Sequence, residues 1–149
     1  MQLKHDIEAN PRRHGYYLID AVACPPILSD PVEADAFLDQ LFQRLDDQSW
    51  PPPSERPSEQ SWLDYEVAAD QARRHTVSVL VGGRDIGYLA PTIPKPEAES
   101  MWARFVSSFD EPRRSFVGMG FGNRDYAFLH GVVVVGASSA GILWIAESD

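Results

Sequence analysis

The chain has 149 residues, a hydrophobic content of 44% and a formal net charge of −9. This length and composition predict a single globular domain over residues 1–149, and they exclude a disordered or fibrous chain. No apolar stretch reaches the roughly 18–20 residues of a membrane span, and the single cysteine, Cys24, excludes an internal disulfide. The chain also has 11 arginines against 2 lysines, and no hydrophobic signal core. Together with the single cysteine, this composition predicts a bacterial, cytoplasmic protein.

The negative charge is concentrated in one segment. Residues 30–70 contain eleven acids and two bases, whereas the rest of the chain contains eleven of each. Such a field attracts basic partners and repels nucleic-acid phosphates. We therefore expect a basic protein partner and no direct binding of nucleic acid. The alternative is a solvated acidic face that serves only solubility.

The first elements are a strand and a helix. Residues 16–23, "YYLIDAVA", are typical of a strand, and residues 30–47 have the pattern of an amphipathic helix. Asp30 fits the N-cap and Pro31 the first helical position. The apolar stripe of this helix consists of Phe37, Leu38, Leu41, Phe42 and Leu45.

A proline-rich acidic loop follows at residues 49–62, "SWPPPSERPSEQSW". Its prolines exclude a helix or a central strand. The loop is bracketed by Trp50 and Trp62, and tryptophan beside acidic residues is a suitable anchor for a basic partner. Alternatively, both rings pin the loop onto the body of the domain.

The remaining elements predict a sheet with a second helix. Alternating valines before Gly82-Gly83 indicate a hairpin over residues 75–91, and an apolar stripe indicates a helix over residues 96–109. Three further strands follow, the last at about 141–147. The chain is therefore expected to be an α+β protein, with an antiparallel sheet of about five to six strands and two helices packed on it.

The stretch "VVVVGASSAG", residues 132–141, resembles the start of a dinucleotide-binding fold. Such a site needs a helix after the glycine-rich turn, and the residues after Gly141 are too few and too β-branched to form one. We therefore interpret Gly136 to Gly141 as the loop of an antiparallel hairpin between 126–136 and 141–147.

No motif for catalysis or metal binding is present in the sequence. The four histidines are scattered, Cys24 has no neighbouring partner motif, and no serine lies in a Gly-x-Ser-x-Gly elbow. We expect no catalytic residues, no metal and no cofactor, although scattered residues can still converge in a fold.

Two stretches, "ADAFLDQLFQRLDD" and then "VSVLVGGRDIGYL", form a helix-then-hairpin pattern that resembles the small acidic immunity proteins of bacterial toxin systems. The resemblance implies a non-enzymatic protein that binds a toxin and blocks its active site. The expected partner-binding residues are Asp39, Asp46, Asp47, Trp50, Glu55, Glu59, Trp62, Asp64 and Glu66.

Other functions remain open at this point. The chain is alternatively a small enzyme or ligand-binding domain with a site between the sheet and loop 49–62, or a phage-encoded inhibitor of a nucleic-acid-binding complex. A structural subunit of a larger assembly is a further alternative.

Overall fold

A computed structural model describes Leu3, His5 and Asp6 together with residues 16–23, 30–46, 61–82, 93–118 and 128–147. In chain order the elements are β1 (Tyr16–Ala23), α1 (Pro31–Asp46), the short 3-10 helix η1 (Trp62–Tyr65), β2 (Glu66–Val67), α2 (Ala69–Val81), α3 (Lys95–Ser107), β3 (Arg114–Val117), β4 (Phe128–Val135) and β5 (Ser139–Glu147). No helix in these ranges is long and apolar enough to span a membrane.

The strands form one antiparallel sheet in the order β1-β5-β4-β3-β2. The predicted strand at 16–23 is confirmed as β1, and the predicted first helix as α1. The predicted antiparallel hairpin is also confirmed, because β4 and β5 pair from Phe128 opposite Glu147 to Val135 opposite Ala140. The predicted loop from Gly136 to Gly141 is too long, because β5 begins at Ser139 and Gly141 pairs with Val134. The turn is closed by a 2.7 Å hydrogen bond from Gly136 N to Ser139 O.

Helices cover both faces of this sheet. Val133 and Val135 of β4 pack in a buried cluster with Leu38 of α1 and Trp62 of η1. The alternate valines of β4 pack in a second cluster with residues of α2 and α3, and this cluster includes Val132, Val134, Leu80, Phe105 and Leu143. Successive strand residues face opposite sides, so a strand buried on both faces needs an uninterrupted apolar run. This explains the four consecutive valines.

The predicted hairpin at 75–91 is wrong in its first half, because residues 69–81 form helix α2. Val77, Val79 and Val81 alternate as in a strand, yet the buried positions 72, 76, 77, 79 and 80 follow a helical period. Packing against α3 and the sheet outweighs the strand preference of the valines. Gly82 has the expected positive φ of 75°, but it ends the helix rather than forming a hairpin turn.

The predicted element counts therefore need correction, although the α+β class and the antiparallel sheet are confirmed. The described residues contain three α-helices rather than two, and four strands of four or more residues rather than five to six. The fifth strand, β2, has only two residues and lies at one edge of the sheet. The second half of the predicted hairpin, at 83–91, lies outside the described residues.

Gly136 is required by a close approach of the chain to itself. A Cβ atom at this position would lie 2.8 Å from the backbone oxygen of Asp110 and 2.9 Å from the Cβ of Phe109. The neighbouring amide of Ala137 donates a 2.9 Å hydrogen bond to that same oxygen. Gly136, the first glycine of the "VVVVGASSAG" stretch, thus leaves room for residues 109–110, and its role is in packing.

Candidate functional site

The acidic residues of α1 and η1 were expected to form a partner surface. In the structure, several of them make hydrogen bonds within the chain. Asp30 caps α1, because its Oδ1 accepts a 3.0 Å hydrogen bond from Val32 N. Asp64 completes a capping box at the start of η1: its Oδ2 accepts from Ser61 N at 3.2 Å, while Ser61 Oγ accepts from Leu63 N at 3.1 Å.

Asp35 and Asp39 hold the start of η1 against α1. They lie one helical turn apart, so both carboxylates reach the same neighbour. Asp35 Oδ1 accepts hydrogen bonds from Trp62 N at 2.7 Å and Ser61 Oγ at 2.9 Å. Asp39 Oδ1 accepts from Trp62 Nε1 at 2.6 Å. The sequence showed these acids only as a polar face of α1, although their four-residue spacing beside the apolar stripe was available as a clue.

Trp62 lies in the core rather than on the surface. It is 3% exposed and packs in the cluster of Leu38, Phe116 and Val133, with its ring centroid 5.8 Å from that of Tyr65. Such burial leaves almost no surface for a partner. We therefore leave Trp62 out of the proposed interface and assign it a structural role.

Glu66 forms a two-pronged ion pair with Arg114 at the edge of the sheet. Arg114 Nε and a terminal guanidinium nitrogen each donate to a different Glu66 oxygen at 2.8 Å. These hydrogen bonds lower the pKa of Glu66 and raise that of Arg114. The guanidinium also lies 5.8 Å from the Phe116 ring centroid. The side chain of Glu66 therefore connects β2 to Arg114 of β3, while the backbone of Glu66 pairs with that of Phe116.

This ion pair predicts an acid-sensitive part of the stability. The pKa of Glu66 is lower in the folded than in the unfolded chain, so its contribution is present above about pH 4.3 and is lost as the pH falls through the folded-state value. Replacing Glu66 with glutamine is expected to lower the free energy of unfolding at pH 7 by about 1 kcal/mol or less, because the carboxyl is 35% exposed. Urea titrations at pH 7 and pH 3 test this, and the difference from wild type should shrink at pH 3.

The control is Glu111→Gln, whose carboxyl is 81% exposed and lies 3.5 Å from Arg113. Equal pH profiles for wild type and Glu66→Gln would contradict the assignment.

Charge is divided between the two helical layers. The α1–η1 layer, taken with the N-cap of α1, contains six acids and one base: Asp30, Glu33, Asp35, Asp39, Asp46, Asp64 and Arg44. The α2–α3 layer contains three acids and four bases: Asp70, Glu97, Glu99, Arg73, Arg74, Lys95 and Arg104. The fold therefore places the charge asymmetry of the sequence on opposite sides of the sheet.

An open cleft of about 930 Å³ lies on the α2–α3 side, between β2, the start of α2, α3 and the segment leading into β3. Its lining is Glu66, Val67, Ala68, Ala69, Asp70, Arg73, Trp102, Val106, Glu111, Pro112, Arg113, Arg114 and Ser115. Its three arginines thus come from two segments far apart in the sequence, Arg73 from α2 and the adjacent Arg113 and Arg114. The sequence offered only the adjacent pair Arg113-Arg114 as a clue, and we did not predict this site.

The described lining contains a serine but no histidine or cysteine that could act as a base or nucleophile with it. Among the described residues, no group of three or more histidine, cysteine, aspartate or glutamate side chains is placed to hold a metal ion.

Four of the predicted partner-binding residues, Asp47, Trp50, Glu55 and Glu59, lie outside the described residues. Asp46 is the last residue of α1.

No protein-family model matches the chain, and no curated protein or solved structure is significantly similar to it.

Proposed function

We propose that this chain is a non-enzymatic binding protein that engages a basic protein partner through the outer face of α1. In this proposal it acts in a bacterial cytoplasm and neutralises its partner, as an immunity protein does for a toxin. The observation that carries the proposal is the excess of acids in the α1–η1 layer over the nearly balanced α2–α3 layer. A one-sided field of this kind steers a partner of opposite charge toward one face.

Asp35 and Asp39 accept hydrogen bonds from η1 and the residue before it. The donors of these bonds, the Trp62 indole and the backbone and hydroxyl groups of residues 61–62, are neutral. Glu66 differs because Arg114 neutralises it. The proposed surface includes Asp39 and Asp64, whereas Glu66 contributes little to its field.

The exposed side of α1 offers a contact area as well as charge. Val32 is 75% exposed, and Glu33, Ala36 and Gln40 on the same helix are exposed beside it. A small apolar patch with charged residues around it matches the usual composition of a protein interface. Ala36 has no side-chain entropy to lose, so its burial by a partner carries no ordering cost for its side chain.

Charge reversal on α1 provides the first test. Replacing Glu33 and Asp46 together with lysine is expected to slow association with the partner about tenfold at low salt, and the effect should shrink as salt screens the charges. The partner is first isolated by affinity capture from the native cell, and association rates are then measured by stopped flow. A melting curve of the free variant checks that it remains folded.

A matched control separates local steering from net charge. Replacing Glu111 with lysine changes one exposed carboxylate on the other side of the sheet. It should slow association less than Glu33→Lys alone. The proposal fails if the captured partner is not basic, or if the Glu33 and Asp46 reversals leave association unchanged at low salt. Capture of a nucleic-acid-binding protein rather than a toxin would favour the role of an inhibitor of a nucleic-acid-binding complex.

A ligand-binding domain is a second candidate, because the structure contains a cleft of suitable size. The cleft lies among β2, α2, α3 and β3, and α1 contributes no residue to its lining. It was not expected at this position, since the predicted site lay between the sheet and loop 49–62.

A further inference from the structure

The three arginines of the cleft differ in how completely their donors are used. Arg73 donates to Glu99 at 2.7 Å and to Asp70 at 3.1 Å, which raises its pKa. Arg114 is bound by Glu66 through two 2.8 Å hydrogen bonds. Carboxylates of the chain itself therefore already occupy these two guanidinium groups.

Arg113 is held in place but keeps donors for another acceptor. Its side chain is 29% exposed, and its Nε donates a 2.6 Å hydrogen bond to Phe109 O. The ion pair to Glu111 is long, at 3.5 Å, and that carboxylate is 81% exposed. A guanidinium has five N–H donors, and an exposed pair of this length is worth little in water. An incoming anion can therefore replace Glu111 at small cost.

The rest of the cleft combines apolar walls with balanced charge. Val67, Trp102, Val106 and Pro112 contribute to its lining, and Trp102 is only 6% exposed. The lining also contains three carboxylates to match its three arginines. A volume of about 930 Å³ lies within the usual range for small-molecule sites, which are mostly apolar with a few placed polar groups.

We propose that this cleft binds a small organic monocarboxylic acid, with its carboxylate on Arg113 and its apolar body against Val67 and Val106. Guanidinium groups bind carboxylates through paired hydrogen bonds, which fixes the orientation of the ligand. The balanced lining favours a ligand with one negative charge over a polyanion, because Arg73 and Arg114 are already paired with carboxylates of the chain and Arg113 is left for the ligand. This site is independent of the α1 surface and does not rest on the proposed function.

The probes for the test are phenylacetate, the neutral 2-phenylacetamide and acetate, each titrated into the full chain and followed by amide and arginine side-chain NMR shifts. We expect phenylacetate to saturate at about 10 mM or below, with shifts at Val67, Val106, Arg113 and Ser115. Phenylacetamide lacks the charge and acetate lacks the apolar body, so each should bind about tenfold more weakly or worse.

Two variants test the role of Arg113 in separate ways. Arg113→Ala is expected to weaken phenylacetate binding about tenfold, but it also removes the hydrogen bond to Phe109 O. Ala69→Glu leaves Arg113 unchanged and places a carboxylate on an exposed residue of the cleft wall. An acid in the first helical turn is favourable for the helix, so this variant should fold normally and still bind phenylacetate more weakly.

Arg104→Ala is the matched control, because Arg104 lies on α3 outside the cleft lining and pairs with Asp6 at 2.6 Å. It should leave binding unchanged. The proposal is overturned if phenylacetate does not saturate, if its shifts fall outside the cleft, or if Ala69→Glu binds as well as wild type. Equal affinity for phenylacetate and acetate, or for phenylacetate and phenylacetamide, would overturn the assigned ligand class.

Discussion

Replacing Trp62 with alanine is expected to lower the free energy of unfolding by about 3–5 kcal/mol. The ring is 3% exposed and packs with Leu38, Phe116 and Val133, so its removal leaves a cavity between α1 and the sheet. The substitution also removes the indole N–H that Asp39 accepts at 2.6 Å. Urea denaturation followed by circular dichroism at 222 nm, at neutral pH, measures the change.

One further variant separates the packing part of this loss from the hydrogen-bond part, and a second variant is the control. Trp62→Phe keeps most of the apolar contact and loses the N–H, so we expect about 1–2 kcal/mol. Val32→Ala is the control for loss of an apolar side chain, because Val32 is 75% exposed and its removal should change stability by less than about 0.5 kcal/mol. If Trp62→Ala were as stable as Val32→Ala, the ring would not be part of the core in solution.

Replacing Gly136 with alanine is expected to cost about 1–3 kcal/mol through overpacking. The new Cβ would lie 2.8 Å from Asp110 O and 2.9 Å from Phe109 Cβ. Neither atom is the end of a flexible side chain, so the 109–110 segment must shift, and with it the hydrogen bond from Ala137 N to Asp110 O. Thermal and urea denaturation of the purified variant provide the measurement.

Gly118 is the matched control, since its φ of 76° disfavours other residues, while among the described residues a Cβ there would make only an ordinary 4.0 Å contact with Tyr65 Cδ1. Alanine at this position should cost about 1 kcal/mol, and asparagine should cost less because it tolerates the left-handed conformation. At Gly136 the order should reverse, with asparagine costing more than alanine because it is larger. The same order at both glycines would show that backbone conformation, rather than space, determines the cost at Gly136.

Parts of the fold were predictable because a local pattern and the tertiary structure agree. Asp30 and Pro31 mark the start of α1, and Leu38 and Leu41 repeat at helical spacing. The valine run predicted a buried strand, and the lack of a helix-forming sequence after Gly141 predicted a hairpin. In these elements the neighbours along the chain contain enough information to determine the conformation.

Other parts depend on contacts between distant residues. Helix α2 has a strand-like valine pattern, and its helical form follows from packing on α3 and the sheet. The interaction of Asp35 and Asp39 with Trp62 joins positions more than 20 residues apart. The cleft brings together three separate segments near residues 66–73, 102–106 and 111–115. No local periodicity identifies such groupings, so the sequence predicted an acidic surface but not the arginine cleft.

The order of strands in the sheet has a consequence for how the chain folds. β5 lies between β1 and β4, and residues 16–23 are paired with residues 139–146. During synthesis β1 emerges long before the strand it pairs with, and the central part of the sheet cannot close until residues 139–147 have left the ribosome. Pairings of such long sequence separation require large loops to close first, which slows folding. We therefore expect the sheet to form after translation of β5, on a timescale of milliseconds or longer, with the valine-rich β4 dependent on chaperones or on rapid collapse until then.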